Sequence, residues 1–184
     1  MKPLLLALAA TALAGPALAQ QVLPAQSEIT FVSRQMGVPV EGKFKQWSAQ
    51  IAFDPKKAAA GKVGFTIQTG SASFGSPETD AEVPKAPWFN VAKFPTASFA
   101  SSAIKPLGGG RFEVAGTLSI KGNSQPVVVP VTVTQAGATS TATGSFTIKR
   151  LDFKIGEGEW TDTSMVANDV TVKFKLALSG MAPL

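Results

Sequence analysis

The sequence predicts an all-β, antiparallel fold in one domain, and three observations carry that prediction. From Gln20 onward nearly every segment alternates apolar and polar residues with period two, which sends successive side chains to opposite faces of a strand. Turn signals rich in Gly, Pro and Asn separate these runs. Only Glu78 to Lys93 breaks the pattern, and there Pro84 and Pro87 allow no more than one or two short helical turns.

The elements follow in chain order. Met1-Lys2 is a short basic start, and Leu4 to Leu13 is an uncharged apolar run. Gly15-Pro16 breaks it, and Ala17-Leu18-Ala19 places small residues at −3 and −1 of a cleavage site, so residues 1–19 read as a secretory signal peptide. The run is shorter than the roughly 20 residues of a membrane span. Cleavage after Ala19 leaves a domain over 20–184 in an exported, periplasmic protein.

In the first strand Ile29, Phe31 and Ser33 share one face, with Glu28, Thr30, Val32 and Arg34 on the other. Val40, Gly42 and Phe44 alternate with Glu41, Lys43 and Lys45, and Trp47, Ala49, Ile51 and Phe53 with Ser48, Gln50 and Ala52. Asp54-Pro55 turns the chain into Val63, Phe65 and Ile67. Beyond the loop, Phe112, Val114, Gly116, Leu118 and Ile120 alternate with Glu113, Ala115, Thr117, Ser119 and Lys121. The last strand is the cleanest, with Val170, Val172, Phe174, Leu176 and Leu178 against Thr171, Lys173, Lys175 and Ala177. Gly108-Gly109-Gly110, Gly122-Asn123 and Gln135-Ala136-Gly137 mark turns, while Gly42, Gly64, Gly116 and Gly144 fall inside strands, where glycine marks a bend or a close backbone approach. Eight or so strands with one apolar face each must bury it, in a sandwich or in a closed barrel. Periodicity does not choose between the two.

Composition removes whole classes of chemistry. The chain has no cysteine, no histidine and no tyrosine, which eliminates disulfides, thiolate sites and imidazole bases or ligands. A Gly-x-Ser-x-Gly arrangement is absent. The formal charge of +5 is scattered, with only Lys56-Lys57 and Lys149-Arg150 adjacent, unlike the clustered stripe of a nucleic-acid binder. Glu157, Glu159 and Asp162 invite a calcium reading, but their spacing matches no oxygen cage and suits a solvated turn.

From Ser27 to Ser179 the sequence resembles the YceI-like family of lipocalin-like, polyisoprenoid-binding periplasmic proteins. The segment 27–44, then Ile51-Ala-Phe-Asp-Pro55, is similar to the family's opening strands. Trp88-Phe89-Asn-Val91 with Phe94-Pro-Thr-Ala-Ser-Phe99 resembles its aromatic pair and Pro-containing strand entry. Gly116 to Gly122 with Pro126-Val-Val-Val-Pro130 resembles the next hairpin, and Arg150 to Trp160 with Asp169-Val-Thr-Val172 the C-terminal signature. The resemblance implies an up-and-down, eight-stranded, lipocalin-like β-barrel around a hydrophobic tunnel. Where many members carry histidine this chain has Lys121 and Gln35, so no imidazole-dependent activity is implied.

The resemblance also implies a bound long isoprenoid, of quinone or polyprenol type, in place of any cofactor, and no enzymatic activity. The inward residues then become tunnel candidates: Phe31 and Phe44 from the first two strands, Ile51 and Phe53 from the third, Phe65 and Ile67 from the fourth. The loop adds Trp88, Phe89 and Phe94, and the strand after it Phe99. Phe112, Val114 and Leu118, then Phe146, then Val172, Phe174 and Leu176 complete the set. Arg34 and Lys121 are candidates for the head group, since a few placed polar groups orient an otherwise apolar ligand. The expected partners are the lipid itself and a transient membrane or membrane redox-protein contact, with the protein a monomer or homodimer. A structural or stress-related barrel with a packed interior, or a carboxylate hydrolase, are the alternatives.

Overall fold

A computed structural model describes residues 19–184; residues 1–18 of the expected signal peptide lie outside the described residues. Eleven antiparallel strands form one sheet: β1 (Gln21–Val22), β2 (Glu28–Gln35), β3 (Val38–Phe44), β4 (Trp47–Ala52), β5 (Lys62–Gln68), β6 (Ala72–Ser73), β7 (Thr96–Gly108), β8 (Arg111–Ile120), β9 (Asn123–Ala136), β10 (Thr139–Lys149) and β11 (Asp169–Ser179). Their order is β4-β5-β7-β8-β9-β10-β11-β2-β3-β6, with β1 added beside β11. The one α-helix among the described residues, α1 (Pro77–Glu82), lies in the segment whose prolines interrupt the alternation.

The class is the one expected, with more strands than eight for a local reason. β1 and β6 are two-residue strands, and β3 and β4 are halves of one bent strand. The bend falls at Lys45 and Gln46. Before it the chain pairs with β2; after it, with β5, so the two ends of the sheet are joined covalently at that corner. Gln20 closes the space beside β4: its backbone N–H donates to Ile51 O and its side-chain oxygen accepts from Phe53 N–H at 2.7 Å. On the opposite side α1 is tied to the wall by Asp80, whose carboxylate accepts from Ser73 Oγ and Phe74 N–H.

The long hairpins turn tightly. β2 passes to β3 through Met36-Gly37 and β8 to β9 through Lys121-Gly122, each pair with both φ angles positive. That is the two-residue turn whose twist matches the flanking strands. Of the in-strand glycines, Gly42, Gly116 and Gly144 do mark close approach. A Cβ on them would stand 2.4–2.5 Å from the rings of Phe31, Phe99 and Phe174 respectively. Gly64 faces the other way and would meet nothing nearer than 3.6 Å.

Candidate ligand tunnel

The inward faces assemble in register. Phe31 on β2 sits opposite Val172 on β11, which sits opposite Phe146 on β10. One step along, Ile29 faces Phe174, and Phe174 faces Gly144. Leu176, Ala142 and Val133 form the next tier. The far wall repeats the device with Phe65, Phe99 and Leu118 on β5, β7 and β8. These tiers enclose a cavity of about 640 Å³ lined almost entirely by apolar side chains. That falls within the usual range for a small-molecule site.

The cavity is elongated. It is lined by every second residue of β11 from Val170 to Leu178, which at about 3.3 Å per residue is roughly 27 Å of strand. Toward one end it is walled by Phe53, Phe112, Leu176 and Leu178, all buried. At the other it reaches the surface beside Met36 and Met165, which are 79% and 45% exposed. Phe65, Phe99, Phe146 and Phe174 face inward yet are only half-buried, as walls of an open bore are and the centre of a packed core is not.

Sixteen of the seventeen apolar candidates line this cavity, and Phe94 does not. Its ring lies against the Gly122 turn, 3.0 Å from where a Cβ there would stand, with the Lys93 ammonium 5.4 Å from its centroid. It pins the loop from outside because the chain turns between Asn90 and Pro95. Arg34 also stays off the tunnel: it is exposed and donates to Gly37 O at 3.2 Å across its own hairpin. Lys121 is corrected more sharply. It is the first residue of the tight turn, not the end of a polar strand face, and its ammonium is buried. It donates to Ala86 O, Lys154 O and Glu157 Oε2 at 2.9, 2.8 and 2.7 Å, stitching two loops together away from the bore. That ammonium, by hydrogen bond and then by charge, holds the Glu157 carboxyl below its ordinary pKa. Asp162 is also lowered, chiefly by the hydrogen bonds of Ser164. Among the described residues no group of His, Cys, Asp and Glu could hold a metal ion.

Arg150 is, with Glu78 and Glu82, one of three charged lining residues outside the candidate set. It is 1% exposed, and all five of its N–H groups go to main-chain oxygens: Nε to Ala167, Nη1 to Ile155 and Gly156, Nη2 to Trp160 and Val166. Burial pushes its pKa down, yet a guanidinium stays charged. The signal was available: Ala142, Gly144, Phe146, Ile148 and Arg150 share one parity, so β10 aims Arg150 inward. Around it the loop between β10 and β11 folds back, and Pro87 O accepts from the N–H groups of Gly156 and Glu157, which seats Trp88 against Trp160 at 5.3 Å between ring centroids.

The comparisons agree with this architecture. The model of the YceI-like domain matches residues 21–178. The chain belongs to the YceI-like family. A solved neighbour, BcnA of Burkholderia cenocepacia, is 48% identical with a TM-score of 0.83, covering 85% of this chain and 99% of its own. A polyisoprenoid binding domain from Saccharophagus degradans, implicated in plant cell wall breakdown, shares the fold at 18% identity and a TM-score of 0.70, over 89% of this chain and 98% of that one. In sequence, a UPF0312 protein of Azotobacter vinelandii is 36% identical over 88 residues, 48% of this chain and 46% of its own length. One from Vibrio cholerae is 28% identical over 114 residues, 61% and 60%. The chain thus spans about half the length of the curated relatives it matches.

Proposed function

We propose that this YceI-like protein is an exported carrier that binds the tail of a long isoprenoid, of quinone or polyprenol type, along the barrel axis. The observation that carries the reading is the single, mostly apolar cavity whose lining runs from Met36 and Met165 to Leu178. A packed structural domain has no use for such a cavity, and a hydrolase would need polar groups converging on a bond, whereas this wall is mostly apolar and, of its two carboxylates Glu78 and Glu82, the second is paired with Lys85. The description of the Saccharophagus degradans neighbour as polyisoprenoid-binding supports the same ligand class.

The energetics favour the tail. Each methylene taken from water contributes about 0.8 kcal/mol, so a few isoprene units supply on the order of 10 kcal/mol before the costs of association. A head group held by one hydrogen bond adds about 1 kcal/mol. Affinity therefore rises with tail length until the bore is full and changes little with salt. Mass spectrometry of an organic extract of protein purified from the periplasm without detergent tests the ligand class, and the intact mass of the same sample tests cleavage after Ala19. Equal affinity for short and long prenyl chains, read from tryptophan quenching, would remove the carrier reading.

A further inference from the structure

With the leader removed after Ala19, Gln20 opens the mature chain, and it does so from inside the wall, at 8% exposed. Its backbone nitrogen donates to Ile51 O at 2.8 Å, and its side-chain Oε1 accepts from Phe53 N–H at 2.7 Å. Ile51 C=O and Phe53 N–H leave the strand from the same edge, because the backbone groups of alternate residues point the same way. The Gln20 side chain is therefore folded back beside its own backbone nitrogen. Its third polar atom, Nε2, makes the longest contact of the three, to Gly180 O at 3.5 Å.

We propose that the fold makes Gln20 a modification site: once cleavage frees its α-amine, the residue closes to an N-terminal pyroglutamate, a neutral five-membered lactam seated against β4. This rests on the cleavage after Ala19 expected from the leader. The uncharged α-nitrogen attacks the side-chain Cδ. An N–Cδ bond forms, the Cδ–Nε2 bond breaks, and one proton passes from the α-nitrogen to Nε2, which leaves as ammonia. Nothing is oxidised or reduced, and no second reactant is consumed. The folded-back side chain supplies the proximity that ring closure needs. Burial disfavours an ammonium and so favours the amine, which is the nucleophile. The lactam keeps one N–H and one C=O side by side, the pair that Ile51 and Phe53 engage, and gives up only the long contact of Nε2. The product carries no charge into the wall and offers an aminopeptidase no free α-amine.

The first test is the intact mass of protein extracted cold and at neutral pH from the periplasm, with fragment spectra of its opening residues. The expected species is residues 20–184 lighter by one ammonia, with the loss placed on residue 20. Any N-terminal glutamine can cyclise slowly, so a second measurement isolates the contribution of the fold. Mature chain released in vitro to begin at Gln20 is followed by mass in native buffer and in denaturing urea. The native chain should lose ammonia roughly tenfold faster. The closed form has one positive charge fewer and separates from the open form by cation exchange; it should melt higher by roughly 2–4 °C. Periplasmic chain 20–184 that keeps its ammonia, or closure no faster in the folded chain than in urea, would overturn the proposal and leave cleavage after Ala19 standing. Equal melting of the two forms would overturn the fit of the lactam against β4. A mass that retains residues 1–19, or begins at another residue, would overturn the cleavage and the proposal with it.

Discussion

Adding one methyl group at Gly144 tests whether the bore is shaped by glycines beneath aromatic rings. A Cβ there would stand 2.4 and 2.6 Å from Phe174 Cζ and Cε1, and 2.7 Å from Pro130 O. Carbon pairs settle near 3.5–4.0 Å, so the ring must retreat by about 1 Å, and the carbonyl belongs to the neighbouring strand and cannot yield cheaply. Such overpacking costs about 1–3 kcal/mol. Against it stands a gain of about 0.4–1 kcal/mol from the stiffer unfolded chain. Gly144→Ala should therefore lose about 1–2 kcal/mol. Gly64→Ala is the matched control: its nearest contact is 3.6 Å, so only the gain remains and it should be neutral or slightly more stable. Urea unfolding resolves the pair, since at about 1–3 kcal/mol per molar the midpoints should separate by on the order of 1 M. The displaced Phe174 ring also enters the lumen, so Gly144→Ala should weaken long-tail binding while Gly64→Ala leaves it intact. Coincident midpoints for the two variants would refute the packing argument.

Three further outcomes are expected. Phe174→Asp puts a carboxylate on the apolar wall and should abolish tail binding or the fold, whereas Lys175→Asp on the exposed face should stay within about 0.5 kcal/mol of native by thermal melting. Arg150→Met strips five main-chain oxygens of their donor and should cost about 3–5 kcal/mol, with hydrogen exchange showing loss of protection between residues 150 and 168. Because Lys121 holds the Glu157 pKa down, the stabilisation from that pair is complete above the ordinary glutamate value of about 4.3 and is lost as pH falls through the lowered folded value. Glu157→Gln should remove that acid limb from a plot of melting temperature against pH.

Strand parity was legible almost everywhere, because a period of two leaves each inner residue no freedom once one neighbour is placed. The inner faces of β2, β5, β8 and β11 follow from counting alone. What counting missed lay at element ends. Lys121 continues the polar face of β8 on paper, but the two-residue turn gives it a left-handed backbone and swings its side chain under the loops. Phe94 reads as pocket wall by composition, and only the path from Asn90 to Pro95 shows that it braces the outside. Arg150 obeys the parity of β10 but carries a charge, and a lone sequence offers no count of main-chain oxygens able to hold it. Whether the apolar interior packs or stays open was equally beyond the pattern, since Phe31 over Gly42 and Phe174 over Gly144 are matters of cross-strand register.

The corner at Lys45 and Gln46 gives the barrel a mechanical character. Since β4 and β6 end the sheet and do not pair with each other, the wall is a split sleeve, joined along the split by one peptide segment and by contacts such as Gln20 to Ile51. A fully laddered cylinder of this size can change its girth only by breaking rows of hydrogen bonds. A split one can change girth along the slit, at the expense of a few, with its long hairpins intact. The amides of β4 should thus be the first of the wall to exchange, which hydrogen exchange followed residue by residue would show.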